Sequence, residues 1–557
     1  MKKLIFLLFL VLLVAVGLVY YKKWRKDLLQ KKIPQLVFLK SDSLYRISYD
    51  SVDVDEIDGE ILIKNLKLIP DSTYKKPTDS TLPRNLLQVS IPEVHITGVQ
   101  TDAAMLNKKV IATRIKLTHP VVTMFNNRHG AKDDDNGNDT MATTDKIYKI
   151  LLRGLEEIRV DTILITDADY HICKWPNGDT IFSGSGINAQ LHHINISDST
   201  SNDNSRVLFA EHATLEVDKI LIHGKNNLYN YRFNDIKLQS AERSFAIKNL
   251  NIIPLLGEAA FMRAAKWQTD RFDFNFSNLR FSAVNVQELL NGNLIADELT
   301  IGNARLKVFR DRSYPVKQVS KIGEYPQQVF LKIPMDVAIK KVTISGGLIE
   351  YKEKNPQTSN SGVVVFNNIQ ATLRNVTNRA ENIRDNGICT LNFNSRFLDK
   401  IPINTTLQFY LKSKNGKFTV NGTIKGTDAT IFNPLSKPMA LVEINSGNIN
   451  QLDFNFICND YQAKGIIRLL YDDLKVKLLK KEDTDYKAKK VISLVANVFI
   501  LNANPMKNKP VRIITVAHPR DEHRSMFNLI WKSIFEGVQK TIGIDDKLLK
   551  TGILSPN

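Results

Sequence analysis

One local pattern recurs along this chain and narrows what it can fold into. Two apolar residues alternate with polar ones, a pair of turn formers interrupts, and a second alternating set follows. The clearest copy lies within Met335 to Val376. There Val342 and Ile344 alternate, Ser345-Gly346 interrupts, and Gly347, Ile349 and Tyr351 alternate again. The step from Ile344 to Gly347 spans three residues. In an unbroken strand an odd step turns the apolar set to the other face. A two-residue turn or a bulge at Ser345-Gly346 restores a common face.

The unit repeats at irregular spacing, so a strict solenoid is not expected. Val94 and Ile96 precede Thr97-Gly98, Ile163 and Ile165 precede Thr166-Asp167, and Leu299 and Ile301 precede Gly302-Asn303. A frayed copy has Ile220 and Ile222 before His223-Gly224. Alternating runs also cover Cys389 to Phe397, Thr405 to Leu411, Lys417 to Ile424, Ile449 to Phe456 and Ala463 to Leu479. Together they predict a mainly β protein built on one long, twisted antiparallel sheet.

The chain has 557 residues, 43% hydrophobic and 24% charged, which places the body among globular rather than disordered proteins. A formal net charge of +18 suits acidic partners such as anionic lipid. The lysines are scattered and no recognition helix or zinc finger appears, so nucleic acid is not expected as a partner. The three cysteines, Cys173, Cys389 and Cys458, are far apart and form no CxxC, which argues against a disulfide framework and a metal cluster. DDDNGND near residue 135 fails as a calcium loop: with Gly137 at the obligatory glycine, Lys132 and Thr143 fall where Asp and Glu are required.

Leu4 to Tyr21 is an uninterrupted apolar run between Lys2-Lys3 and Lys22-Lys23-Trp24-Arg25-Lys26. As a helix it spans about 27 Å, enough for a bilayer core. Without an A-x-A site or a nearby cysteine it reads as an uncleaved signal anchor, with Leu4, Phe9, Leu13 and Leu18 in the core and Tyr21 and Trp24 at the interface. Charge counting alone favours a cytoplasmic body. The two-lysine start and the β-rich body argue for export.

At the carboxyl end, Asp485 to Leu501 reads as a helix, and Ser525 can cap a second one. In the second, Phe527, Ile530, Trp531, Ile534 and Phe535 belong to a broad apolar stripe that suits a core-plugging helix or one lying on a membrane or partner. The expected organisation is an anchor over 1–26, a β body over 27–480 and a closing block over 481–557.

No GxSxG, HExxH, GxxxxGK[ST] or GxGxxG is present, so no enzyme, cofactor or metal is expected. His518 and His523 in HPRDEH read as solvated loop residues. Three features together resemble the AsmA-like family of envelope proteins, which includes TamB-type proteins. These are the single anchor, the unit VTISGGLIEYKE, and the closing order of KAKKVISLVANVFIL, NANP and MFNLIWKSIFEGVQKTIGI.

The resemblance implies a sheet folded into an open groove with an apolar interior, anchored in the inner membrane with its body in the periplasm. It also implies outer-membrane maintenance through phospholipid transfer between membranes. On this reading Ile163, Ile165, Leu299, Ile301, Val342, Ile344, Ile349 and Tyr351 are the candidate lipid-binding positions, and membrane phospholipids are the partners. The same residues suit a closed β core, and the rival function is an anchored scaffold that docks other envelope proteins.

Overall fold

A computed structural model describes residues 33–543 apart from 42–43, 56, 72–84, 101–108, 128–154, 176–177, 201–202, 225, 355, 357–360, 441 and 479–499. The expected anchor, the DDDNGND loop and nearly all of the helix expected at Asp485 to Leu501 lie outside those residues. Among the described residues no helix is long and apolar enough to cross a membrane. The protein is mainly β, with one sheet of 22 strands and few helices. The chain divides into two compact units, one running to Leu250 and including Arg280–Asn293, the other comprising Asn251–Leu279 and the chain from Leu294.

The first unit holds β1 (Tyr45–Ser48), β2 (Ser51–Asp55), β3 (Glu60–Pro70), β4 (Asn85–Thr97), β5 (Lys109–Thr118), β6 (Val121–Asn126), β7 (Glu157–Lys174), β8 (Thr180–Ser197), β9 (His212–His223) and β10 (Tyr229–Gln239). Its strands form because alternating Ile, Leu and Val give each a continuous inner face. Three-residue steps interrupt that alternation at Ile63 to Leu66, Ile91 to Val94 and Ile165 to Ala168, all buried residues. The backbone absorbs the odd residue in a left-handed conformation at Asn65 (φ 53°) and Asp167 (φ 53°), and His119 (φ 54°) does the same between β5 and β6. Asn and Asp tolerate this region better than most residues. β5 and β6 keep one alignment with β4 and one with β7 across the interruption, whereas the β7–β8 register shifts between Ile165 and Ala168.

Strands β11 (Ser244–Pro254) and β12 (Arg271–Ser282) each contribute residues to both units. The second unit continues with β13 (Leu294–Asp311), β14 (Val337–Ser345), β15 (Gly347–Lys354), β16 (Ser361–Thr377), β17 (Ile388–Phe397), β18 (Ile401–Tyr410), β19 (Phe418–Asp428), β20 (Val442–Cys458), β21 (Gln462–Leu478) and β22 (Ile514–Pro519). The break at Ser345-Gly346 is real and confined. Strand β14 stops at Ser345, Gly346 turns left-handed at φ 89°, and β15 resumes at Gly347. Both halves hold the same register with β13 and with β16, so Ile344 and Ile349 return to one face.

The expected all-antiparallel sheet is corrected to a mixed one. Strands β5 and β6 run parallel to β7, and β14 and β15 run parallel to β13. Parallel neighbours need a crossover of a dozen or more residues. Residues 312–336 supply it between β13 and β14.

Candidate functional site

Lateral pairing turns the alternating residues into apolar rows that run across the strands. In the second unit Leu299 pairs with Val342, Val342 with Leu373, Leu373 with Leu391, Leu391 with Leu407, Leu407 with Val420, and Val420 with Phe456. Seven strands thus contribute one side chain each, over about 29 Å at ~4.8 Å per strand. The row is buried at both ends and half-buried at Leu373 and Leu391. A second row joins Ile301, Ile344, Ala371 and Phe393, with Ile344 and Phe393 half-buried. Beyond the Gly346 break, Leu306, Ile349, Phe366 and Phe397 form a third row, and Val308, Tyr351 and Val364 a fourth.

Four of the sequence-derived candidates, Leu299, Ile301, Val342 and Ile344, therefore form one contiguous patch. Ile349 and Tyr351 lie on the rows beyond it. Tyr351 is less apolar in setting than its place in the pattern implied. Its hydroxyl donates to Glu353 Oε2 at 2.7 Å, and burial pushes its phenol far above the ordinary range despite the nearby Arg310. The next row is charged: Arg310 pairs laterally with Glu353. Arg310 is buried and forks onto Asp270 at 2.7 and 2.6 Å, and Arg312 Nη1 reaches Glu353 Oε1 at 3.3 Å.

Ile163 and Ile165 belong to the first unit and to rows of its own. Ile61, Ile96, Ile115, Ile163 and Leu191 form one, and Ile63, Val94, Leu117, Ile165, Ala189, Leu215 and Leu238 another. These rows are packed: Ile163 is 5% exposed and Ile165 2%, within a core that includes Ile91 and Val122. For these two positions the structure shows a filled β core.

The closing helix, Met526–Thr541, is capped by Ser525, whose hydroxyl accepts from the Asn528 amide. Its most deeply buried face is Leu529, Ser533, Gly537 and Thr541, which differs from the expected stripe. Ile530 and Ile534 pack against the core beside it, Trp531 and Phe535 are half-buried, and Phe527 is exposed. Small residues set the contact because they let the helix approach β21; a Cβ on Gly537 would meet Ile467 Cδ1 at 2.7 Å. The S-x-x-x-G-x-x-x-T spacing signals this, but the bulky residues beside it dominate any count of apolar positions.

HPRDEH is also not a solvated loop. His518 Nδ1 lies 2.7 Å from Glu536 Oε2 on the closing helix, and His523 Nδ1 lies 3.1 Å from the Val319 carbonyl. Between them Arg520 donates to Asp460 Oδ1 at 2.6 Å, with side chains 2% and 3% exposed. Its guanidinium lies over the Tyr325 ring at 4.1 Å, and Gln328 donates to the other Asp460 oxygen at 2.8 Å. This network ties the 312–336 crossover to the β20–β21 turn and to the end of β22. All three cysteines are free and buried, and burial pushes the Cys389 thiol up to about 11 and that of Cys458 to about 12. Among the described residues no group of three or more His, Cys, Asp or Glu side chains is placed to hold a metal. Comparisons with protein-family models and with curated proteins find no match.

Proposed function

We propose that this chain is a membrane-anchored envelope protein whose β body binds phospholipid acyl chains along its apolar rows. In this reading a groove open along those rows contributes to lipid transfer between inner and outer membranes and to outer-membrane maintenance. The anchor over residues 4–21 holds it in the inner membrane with the body in the periplasm.

The observation that carries the reading is the row from Leu299 to Phe456, half-buried at Leu373 and Leu391. Half-buried apolar side chains on one face offer a hydrocarbon chain contacts that water does not. Moving a chain of ~16 carbons through water costs on the order of 12 kcal/mol at ~0.8 kcal/mol per methylene. Contact with the half-buried part of such a row removes some of that cost and needs no hydrogen-bond code, so selectivity among chains is broad. The packed rows around Ile163 and Ile165 favour the second unit as the binding surface.

Photo-crosslinking groups at Ile344 and Leu391 test this. Phospholipid adducts at both positions, absent from a control at exposed Ile457, support acyl binding. Protein adducts in place of lipid support the scaffold reading instead.

A further inference from the structure

The crossover between β13 and β14 is inside out. In its short helix, Pro326–Phe330, Gln327 and Gln328 are 6% and 9% exposed while Val329 is 49% exposed. The glutamines are held from within: Gln327 Nε2 donates to the Gly416 carbonyl at 3.1 Å, and Gln328 Nε2 donates to Asp460. Tyr325 is buried beside them, its hydroxyl donating to the Asn459 carbonyl at 2.9 Å. Val319, Ile322 and Ile333 are all exposed. A crossover selected only for packing would bury its aliphatic side chains and leave the amides in water.

The outward aliphatics do not stand singly. The Lys321 amide donates to the Glu522 carbonyl at 2.7 Å, and His523 Nδ1 lies 3.1 Å from the Val319 carbonyl. These contacts hold Val319 and Ile322 beside the start of the closing helix, where Phe527 is exposed. The Lys332 ammonium donates to the Gly323 carbonyl at 2.9 Å, which draws Val329 and Ile333 towards Ile322. Exposed Trp267 adjoins the crossover, since the Gln268 amide donates to the Pro315 carbonyl at 3.0 Å. A contiguous apolar surface of this kind on a folded chain marks a docking site.

Charge selects what docks. Lys317 and Lys321 alternate with Val319 and Ile322, Lys332 precedes Ile333, and Lys266 precedes Trp267. Between Arg312 and Met335 the only acidic residue is Glu324. Of the neighbouring acids, Asp521 and Glu522 lie beside Arg524 and His523. A second copy docking face to face would set lysine against lysine. A bilayer bearing anionic lipid instead offers phosphates to the ammonium groups and an interfacial layer to Trp267, Phe527 and the aliphatics.

We infer that the 312–336 crossover, with Trp267 and Phe527, is a docking face for an anionic bilayer surface. The inference goes beyond acyl binding and stands whether or not the apolar rows bind lipid. The contact is peripheral. Side chains enter the interfacial layer while the backbone stays pinned through the Lys321 carbonyl to Arg520 and through the Gly323 amide to Asp460.

The test reconstitutes the full chain in phosphatidylcholine nanodiscs and measures co-sedimentation with vesicles of phosphatidylcholine, alone or mixed with phosphatidylglycerol. The discs are expected to bind the mixed vesicles about tenfold more tightly, a margin that shrinks with added salt. Lys317→Gln with Lys321→Gln removes most of that margin, at about fivefold per lysine. Val319→Ser with Ile322→Ser weakens binding to the mixed vesicles by about tenfold. Ile457→Ser, at an exposed position on β20, leaves binding unchanged. No binding to either vesicle overturns the inference, as does equal binding to both. Undiminished binding in either paired variant overturns the assignment of this face. A photo-crosslinking group at Ile322 gives a direct readout: adducts with labelled vesicle lipid support the docking face, and adducts with a second copy of the chain overturn it.

Discussion

The Gly346 amide donates to the Ile369 carbonyl at 2.9 Å, bridging the interruption between β14 and β15. Gly346 is left-handed at φ 89° and Asn368, beside Ile369, at φ 48°. Two strands therefore kink together and keep their ladder. A β-carbon at Gly346 would meet only the Gly302 carbonyl, at 3.5 Å, so the constraint there is backbone conformation rather than space. Gly346→Ala should lower stability by about 1–2 kcal/mol, read as a shift in the urea midpoint. An unchanged midpoint would show that the kink relaxes without cost.

Gly537 faces the opposite limit, since its neighbours leave no room. Gly537→Val should lift the closing helix from β21 at a cost of about 1–3 kcal/mol. The fluorescence of Trp531, half-buried on that helix, should shift to the red if the helix moves. Native emission together with native stability would contradict the close approach.

Breaking the Arg520 and Asp460 pair leaves a charge in a dry site. Arg520→Met should cost about 3–5 kcal/mol. Adding Asp460→Leu should recover most of that loss, because both charges are then gone. If the double variant is no more stable than the single one in denaturant melts, the pair's worth lies in its hydrogen bonds to Gln328 and the Lys321 carbonyl.

Burial raises the cost of ionising Glu536, but hydrogen bonds from Lys540 and His518 outweigh it and hold its carboxyl below the usual 4.5. A depressed folded-state value stabilises the fold above the ordinary carboxylate pKa. That stability is lost as pH falls from about 4.5 through the lower folded value. Glu536→Gln should therefore flatten the acid limb of the thermal-melting profile below pH 5, and a profile parallel to that of the parent would count against the assignment.

Much of the architecture was legible locally. The alternation and the three-residue steps at Ile344 and Ile165 announced strands whose odd residue had to be absorbed, and Ser525 announced a helix start. HPRDEH was misread, and the polar setting of Tyr351 unforeseen, because the partners are distant: Glu536 and Asp460 reach the motif only through folding, and Arg310 reaches Tyr351 only through a parallel strand. The closing helix misled for a different reason. Helical spacing ranks residues by bulk, whereas a close sheet contact selects the small ones.

By itself the sequence determined which residues share a face, because side-chain direction along a strand is a matter of period and bulge. Tertiary structure decided which strands became neighbours, and hence that the row through Leu299, Val342, Leu373 and Leu391 is half-buried at Leu373 and Leu391 while Ile163 and Ile165 are buried. Lateral pairing across long crossovers depends on contacts far apart in the chain, and no local period encodes them.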